Sequence, residues 1–130
     1  MFSYDLNTDD GVIVLTARRQ TTVDDYQAVA PQFYSDVRTH GIQKILVDAR
    51  AFEGWDSAQS ESIAQMSWSE ARSLFDRIAV IANDSSRRET ARFMEFFRNA
   101  GKDVRQFQAF EYEPALQWLK QPLQYANLRC

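Results

Sequence analysis

Lys44-Ile45-Leu46-Val47-Asp48-Ala49 and, further along, Ile78-Ala79-Val80-Ile81-Ala82 decide the fold. Each is a short apolar run bounded by turn signals and lacks the in–out alternation of a half-exposed strand. A strand reads this way when both of its faces are covered, as in a parallel sheet with helices packed against it. Between the two runs, Ile63, Met66, Leu74 and Phe75 suggest one helix with these side chains inward, capped by Asp56 or Ser57. Upstream, Val12-Ile13-Val14-Leu15-Thr16-Ala17 is β-branched and apolar, hence a strand. Thr8-Asp9-Asp10-Gly11 has hairpin-turn chemistry and joins that strand to a short edge strand at Tyr4 to Asn7.

Thr22 is placed to cap a helix in which Val23, Tyr26, Val29, Phe33 and Val37 recur at helical spacing. Asp24 and Asp25 suit the positive end of its dipole. Pro31 kinks or divides this helix, because proline removes an amide donor and crowds the preceding turn. His40-Gly41 ends it. Downstream, Asn83-Asp84-Ser85-Ser86 offers caps for a helix with Phe93, Phe96, Phe97 and Ala100 inward, and Gly101 stops it. Val104 to Phe107 is a shorter strand, and Phe107 and Phe110 are further core candidates. Glu113-Pro114 opens a last helix, docked by Leu116, Trp118 and Leu119. Strands alternating with helices imply βαβ units with right-handed crossovers. The expectation is one α/β domain over residues 1–130: a mixed, mostly parallel sheet, an antiparallel N-terminal strand and about four helices.

The chain has 130 residues, of which 45% are hydrophobic and 25% charged, the balance of an ordinary globular domain that folds without a metal or disulfide. A net charge of −3 gives no bulk attraction to nucleic acid or anionic membrane. The single cysteine, Cys130, has no internal partner, which suits a reducing cytoplasm. The first residues carry no signal-peptide pattern, and no apolar run approaches the ~20 residues of a membrane-spanning helix.

Several stretches carry a family likeness: Val23-Asp24-Asp25-Tyr26, Ile45-Leu46-Val47-Asp48 running into Phe52-Glu53-Gly54-Trp55, Phe75-Asp76-Arg77-Ile78-Ala79-Val80-Ile81, and Ala115-Leu116-Gln117-Trp118-Leu119. In order and spacing the chain resembles the SpoIIAA-like family, a branch of the wider STAS fold group. The resemblance implies a β-led α/β fold, no established catalytic activity, and a likeness of fold to CRAL-TRIO lipid-binding domains. Anti-sigma factor antagonists of the wider group carry a phosphorylatable serine in an Asp-Ser-Ser-Gly segment. Here Asp56-Ser57-Ala58-Gln59 stands in a similar place, so Ser57 matches the first serine while Ala58 and Gln59 depart from the pattern.

Two segments follow the covered strands, where open α/β sheets bind ligands. The first, read as a loop, holds Phe52, Gly54, Trp55, Asp56 and Ser57, with Phe52, Trp55 and the nearby Trp68 as aromatics for an apolar pocket or a partner surface. The second holds Ser85, Ser86, Arg87, Arg88 and Arg92 at a helix start, where free amides, hydroxyls and guanidiniums suit an anion. The two are expected to border one surface. His40 is the only histidine and sits at a helix end, so the usual zinc sites and a triad have no basis, and neither a P-loop nor a dinucleotide fingerprint occurs. No cofactor, metal or catalytic residue is assigned.

The reading is a non-enzymatic binding or regulatory module that engages a protein partner or a small apolar or anionic ligand, with Ser57 as a candidate phosphosite. A carrier of a lipid or other hydrophobic molecule is the alternative, and it requires an apolar pocket of about 300 Å³ or more. An enzyme would have to use Asp48, Asp56 or Ser57 converging in a cleft. Trp68 and Trp118 are the side chains for a homodimer face.

Overall fold

The computed structural model describes residues 1–121. The element order is β1 (Phe2–Asn7), β2 (Val12–Thr21), α1 (Val23–His40), β3 (Lys44–Trp55), α2 (Ala58–Gln65), α3 (Trp68–Leu74), β4 (Arg77–Ile81), α4 (Arg87–Asn99), β5 (Asp103–Phe107) and α5 (Tyr112–Lys120). The strands lie side by side in chain order as a five-stranded sheet. Only β1–β2 is antiparallel; β2–β3, β3–β4 and β4–β5 are parallel. This is the α/β mixed sheet that the apolar runs imply. Cys130 and the other residues after Gln121 lie outside the described residues.

Because each parallel step moves the same way across the sheet, right-handed crossovers carry every connecting helix to the same face. Alternation along the strands sorts the core accordingly. Ile13, Ile45, Ile78 and Val80 pack with Phe33, Tyr34 and Val37 of α1, Ala71 of α3, and Met94 and Phe97 of α4. Val12, Leu46, Ala79 and Ile81 point the other way, to Phe107 and to Ala115, Trp118 and Leu119 of α5. All of β4 is buried, which is why its sequence shows no polar alternation.

The helix ends follow local chemistry. Thr22 Oγ1 accepts from the Asp25 amide while Asp25 Oδ2 accepts from the Thr22 amide, each at 3.1 Å, a reciprocal capping box. Gly41 closes α1 in the left-handed conformation at φ 63°. Pro31 does not divide the helix, which runs unbroken past it with Pro31 exposed. The second expected helix is split instead. Ser67 Oγ donates to the Ala64 carbonyl at 2.9 Å and bonds the Tyr26 hydroxyl, so α2 ends and α3 begins on a new axis. That break turns Met66 out to 78% exposure, against the inward position that helical spacing suggests. Phe110, a core candidate by composition, stands 86% exposed in the turn between β5 and α5. Trp118 is buried against Phe107, and Trp68 packs on Phe93 and Phe96, so both are occupied within the chain.

Among the described residues α5 is the one helix on the second face, and it is tied down by a buried arginine. Arg77 Nη1 donates to the carbonyls of Trp118 at 3.0 Å and Gln121 at 2.9 Å, and its guanidinium lies 5.0 Å from the Trp118 ring centroid. The last carbonyls of α5 have few backbone partners, with the Gln121 amide reaching that of Trp118 at 3.3 Å, so this cation adds to their bonding and opposes the dipole at once.

Leu119→Ala, at a fully buried position on α5, should cost roughly 2–5 kcal/mol in urea unfolding. Met66→Ser should stay within about 0.5 kcal/mol of wild type.

Candidate functional site

Residues 52–55, read from sequence as a loop, are the end of a strand. β2 is also longer than its apolar run and continues through Arg18, Arg19 and Gln20 to Thr21, so β3 has a partner to pair with. The register is Arg18↔Ala51, Arg19↔Phe52 and Thr21↔Trp55, with shifts between Thr16 and Arg18 and between Arg19 and Thr21. Arg19 takes φ 58° at this irregularity, the local twist that lets β2 follow β3. The polar spelling of residues 18–20 hides the strand, because all three are exposed at a sheet end.

On its other side β3 has lost its neighbour, since β3–β4 pairing stops at Asp48↔Ile81. A side chain takes over. Asn83 Nδ2 lies 3.0 Å from the Ala49 carbonyl, 2.7 Å from that of Arg50 and 2.9 Å from that of Phe52. Two amide protons are shared among three acceptors. Asn83 Oδ1 accepts from the Ser86 amide at 2.9 Å and from Ser86 Oγ at 3.1 Å. One residue therefore ties the β3 extension to the start of α4. The two segments expected to border a common surface are adjacent.

Behind this join, between the sheet and α1–α4, lies a cavity of about 110 Å³. Phe2, Tyr26, Phe52, Trp55, Trp68 and Phe93 form its aromatic wall, and Leu15, Val47, Ala49 and Ala64 much of the rest. Trp55 is the hub of its outer end: Phe2 lies 5.6 Å, and Tyr26 and Phe52 each 6.1 Å, from it between ring centroids. Leu15 and Val47 on the two central strands keep accessible surface, although sheet and helices enclose them, because they face this space. The cavity contributes few polar groups: Tyr26, Tyr34, Glu89 and Thr90. Burial pushes the Tyr34 hydroxyl well above its ordinary value, so it remains a neutral donor, to the Ser67 carbonyl at 3.4 Å. Thr90 Oγ1 donates to the Ser86 carbonyl at 3.0 Å.

The residues singled out by sequence divide into three groups. Phe52 and Trp55 reach the cavity, and Gly54 sits against Glu89: a Cβ there would lie 3.3 Å from Glu89 Oε1. Ser57 and Ser86 have structural work. Ser57 Oγ accepts from the Ser60 amide at 3.1 Å as the cap of α2. Ser86, expected on the surface, is fully buried because it packs under Asn83 as the first residue of the α4 turn. Asp56, Ser85, Arg87 and Arg88 are exposed. In the basic cluster Arg87 pairs with Asp84 at 2.8 Å and Arg92 makes a two-pronged contact with Glu61 at 2.8 to 3.0 Å, while Ser85 and Arg88 face solvent. The cavity residues that sequence reasoning missed are Phe2, Tyr26, Glu89 and Thr90; they come from β1, α1 and α4, and only tertiary packing brings them together.

Asp48 does not join Asp56. It points to the α5 face, opposite the cavity, and holds Arg50 through contacts of 2.9 and 2.7 Å. Burial raises its carboxyl, but the Arg50 hydrogen bonds and the positive charges of Arg50 and Arg18 outweigh that and hold it below its ordinary value. Asp56 lies beyond the far end of β3, over ~20 Å up an extended chain at about 3.3 Å per residue. Among the described residues no three His, Cys, Asp or Glu side chains group to hold a metal ion, and no helix is long and apolar enough to cross a membrane.

Comparison with known proteins places this geometry. The sequence model of a family described as SpoIIAA-like matches residues 12–120. An uncharacterised protein from the DUF3478 family of Shewanella loihica PV-4, solved with a SpoIIAA-like fold, superposes with a TM-score of 0.67 at 21% identity, over 92% of each chain. At that identity the likeness is one of fold. No curated protein matches the chain.

Asn83→Ala should cost about 2 kcal/mol or more, because the buried Ser86 amide and the β3 carbonyls lose their partners. Hydrogen exchange should show faster opening of residues 49–55. Asp48 has a depressed folded value, so its contribution is present above its unfolded pKa of ~3.9 and is lost as pH falls through the lower folded one. Asp48→Asn should therefore flatten the decline of stability below about pH 4 in urea titrations.

Proposed function

The chain belongs to the SpoIIAA-like family, and from that premise we propose that it is a non-enzymatic binding module that holds a small, largely apolar molecule between the sheet and α1–α4. The observation that carries this is the cavity of about 110 Å³ under Trp55. Protein interiors are otherwise packed to crystal-like density, so unfilled apolar space beside a strand end calls for a reason. An apolar cavity of roughly 150 Å³ takes up benzene, which sets the scale of the guest. A whole lipid, with its requirement of about 300 Å³ or more, is too large. The guest is a compact molecule or the end of a chain.

Two features favour binding over catalysis. Asp48 is committed to Arg50 on the opposite face, and Ser57 caps a helix rather than facing a base. Ser57 keeps a regulatory reading, because its exposed hydroxyl starts α2, whose Ala64 lines the cavity. A phosphate there would add about −1.5 to −2 charges at the positive end of a helix.

Saturation with a benzene-sized apolar probe at ~100 times its dissociation constant should stabilise the protein by about 2.7 kcal/mol. That amounts to a rise in melting temperature of roughly 10 °C for a chain of this size. Ala64→Phe, which fills the space, should abolish the rise. A wild-type protein that neither shifts with any such probe nor carries a guest in native mass spectrometry would sink the proposal.

A further inference from the structure

We infer that the cavity selects an organic cation, an alkylammonium group, over a neutral or anionic molecule of the same shape. The inference rests on the reading of the cavity as a ligand site and names its ligand class. Its first ground is charge. Among the described residues that line the cavity, Glu89 alone is ionic, with no lysine, arginine or histidine beside it. A carboxylate or phosphate guest would meet only a negative charge. The anionic ligand suggested by the basic spelling of residues 87–92 therefore does not fit this space.

The second ground is that Glu89 has no partner among the described residues. None of the nearby cations pairs with it: Arg92 holds Glu61, Arg87 holds Asp84, and Arg88 stands exposed on the surface. Among the described residues, Glu89 makes no hydrogen bond or ion pair, although it is half-buried at the edge of apolar space. It does not complete a capping box either, because the Ser86 amide is taken by Asn83. Withdrawing a carboxylate from water without a partner is unfavourable, and such a group in a folded protein needs an explanation. The helix dipole accounts for a glutamate in the first turn of α4, but not for its turn toward the cavity.

The third ground is the wall opposite. Phe2, Tyr26, Phe52 and Trp55 converge from β1, α1 and β3 at the end where Glu89 lies, and Gly54 leaves room for Oε1 beside the backbone that carries Trp55. Gly54 is at φ 97°, so a side chain here would be strained as well as close to Glu89. Aromatic faces attract a cation within about 6 Å of their centroids, and more strongly when it is desolvated. A methylated ammonium is apolar on its surface and positive as a whole, so it suits aromatic walls with one carboxylate. A strongly hydrated metal ion does not.

Calorimetry with two probes tests this: choline, and its neutral tert-butyl isostere in which carbon replaces the ammonium nitrogen. Wild-type protein should bind choline at least about tenfold more tightly than the isostere, the discrimination expected of a desolvated cation held against aromatic faces and beside a carboxylate. Glu89→Gln should weaken choline binding several-fold more than it weakens binding of the isostere, so that the ratio of the two affinities falls; an unchanged ratio would overturn the role of Glu89. Equal affinities in the wild type would overturn the cation preference while leaving the apolar-cavity reading intact. Binding of neither probe would overturn both, and choline binding that survives in Ala64→Phe would place the cation outside the cavity and overturn the inference.

Discussion

The amide of Asn83 holds the functional end of this molecule together. Where β4 stops, β3 goes on, and a strand edge buried without a partner is costly. Asn83 supplies donors to three of its carbonyls and, with its other end, caps the turn into α4. A backbone could not do both jobs from one position. The side chain can, because its NH2 group carries two donors and its carbonyl oxygen an acceptor, all in one plane. The positions of Phe52, Gly54 and Trp55 relative to Glu89 follow from this single clamp.

A second constraint is topological. A sheet whose parallel strands run in chain order sends all its crossover helices to one face. That face gains four helices and the larger core, and the space among them holds the cavity. Among the described residues the other face has only α5, which would be a poor anchor by itself at nine residues. Arg77 compensates by binding the helix's terminal carbonyls from within the sheet, and Lys44 adds a contact of 3.1 Å to Gln121. The two faces thus take different roles: one is held by a buried cation and packed closely, and the other keeps room.

The same residue types that suggest chemistry in a sequence often serve the backbone. Ser57, Ser86 and Asn83 look like an anion-binding or phosphorylation set, but each is engaged at a helix start. Caps and phosphate sites draw on the same residues, because both satisfy free amides at a helix N-terminus. Arginines near that terminus look available until the acids of other elements are placed. Glu61, far from Arg92 in sequence, removes it from the surface pool.

The sequence by itself determined the order of strands and helices, the covered strands and most helix ends. Those features are local: apolar periodicity at Ile45 to Val47 and Ile78 to Ile81, the Thr22–Asp25 box, and Gly41 each act within a few residues. Even so, the break at Ser67 escaped, because helical spacing of Ile63, Met66 and Leu74 is blind to a hydroxyl that turns back on Ala64. Tertiary structure alone decided how far β3 extends, since that depends on the partner offered by residues 18–21 of β2 and on an irregular register. It alone assembled Phe2, Tyr26, Trp55 and Glu89 around one space. No periodicity links these positions; they meet because the sheet and the helices bring distant segments together, and only that packing sets Glu89 in the same lining as the aromatic rings, without a counter-charge among the described residues.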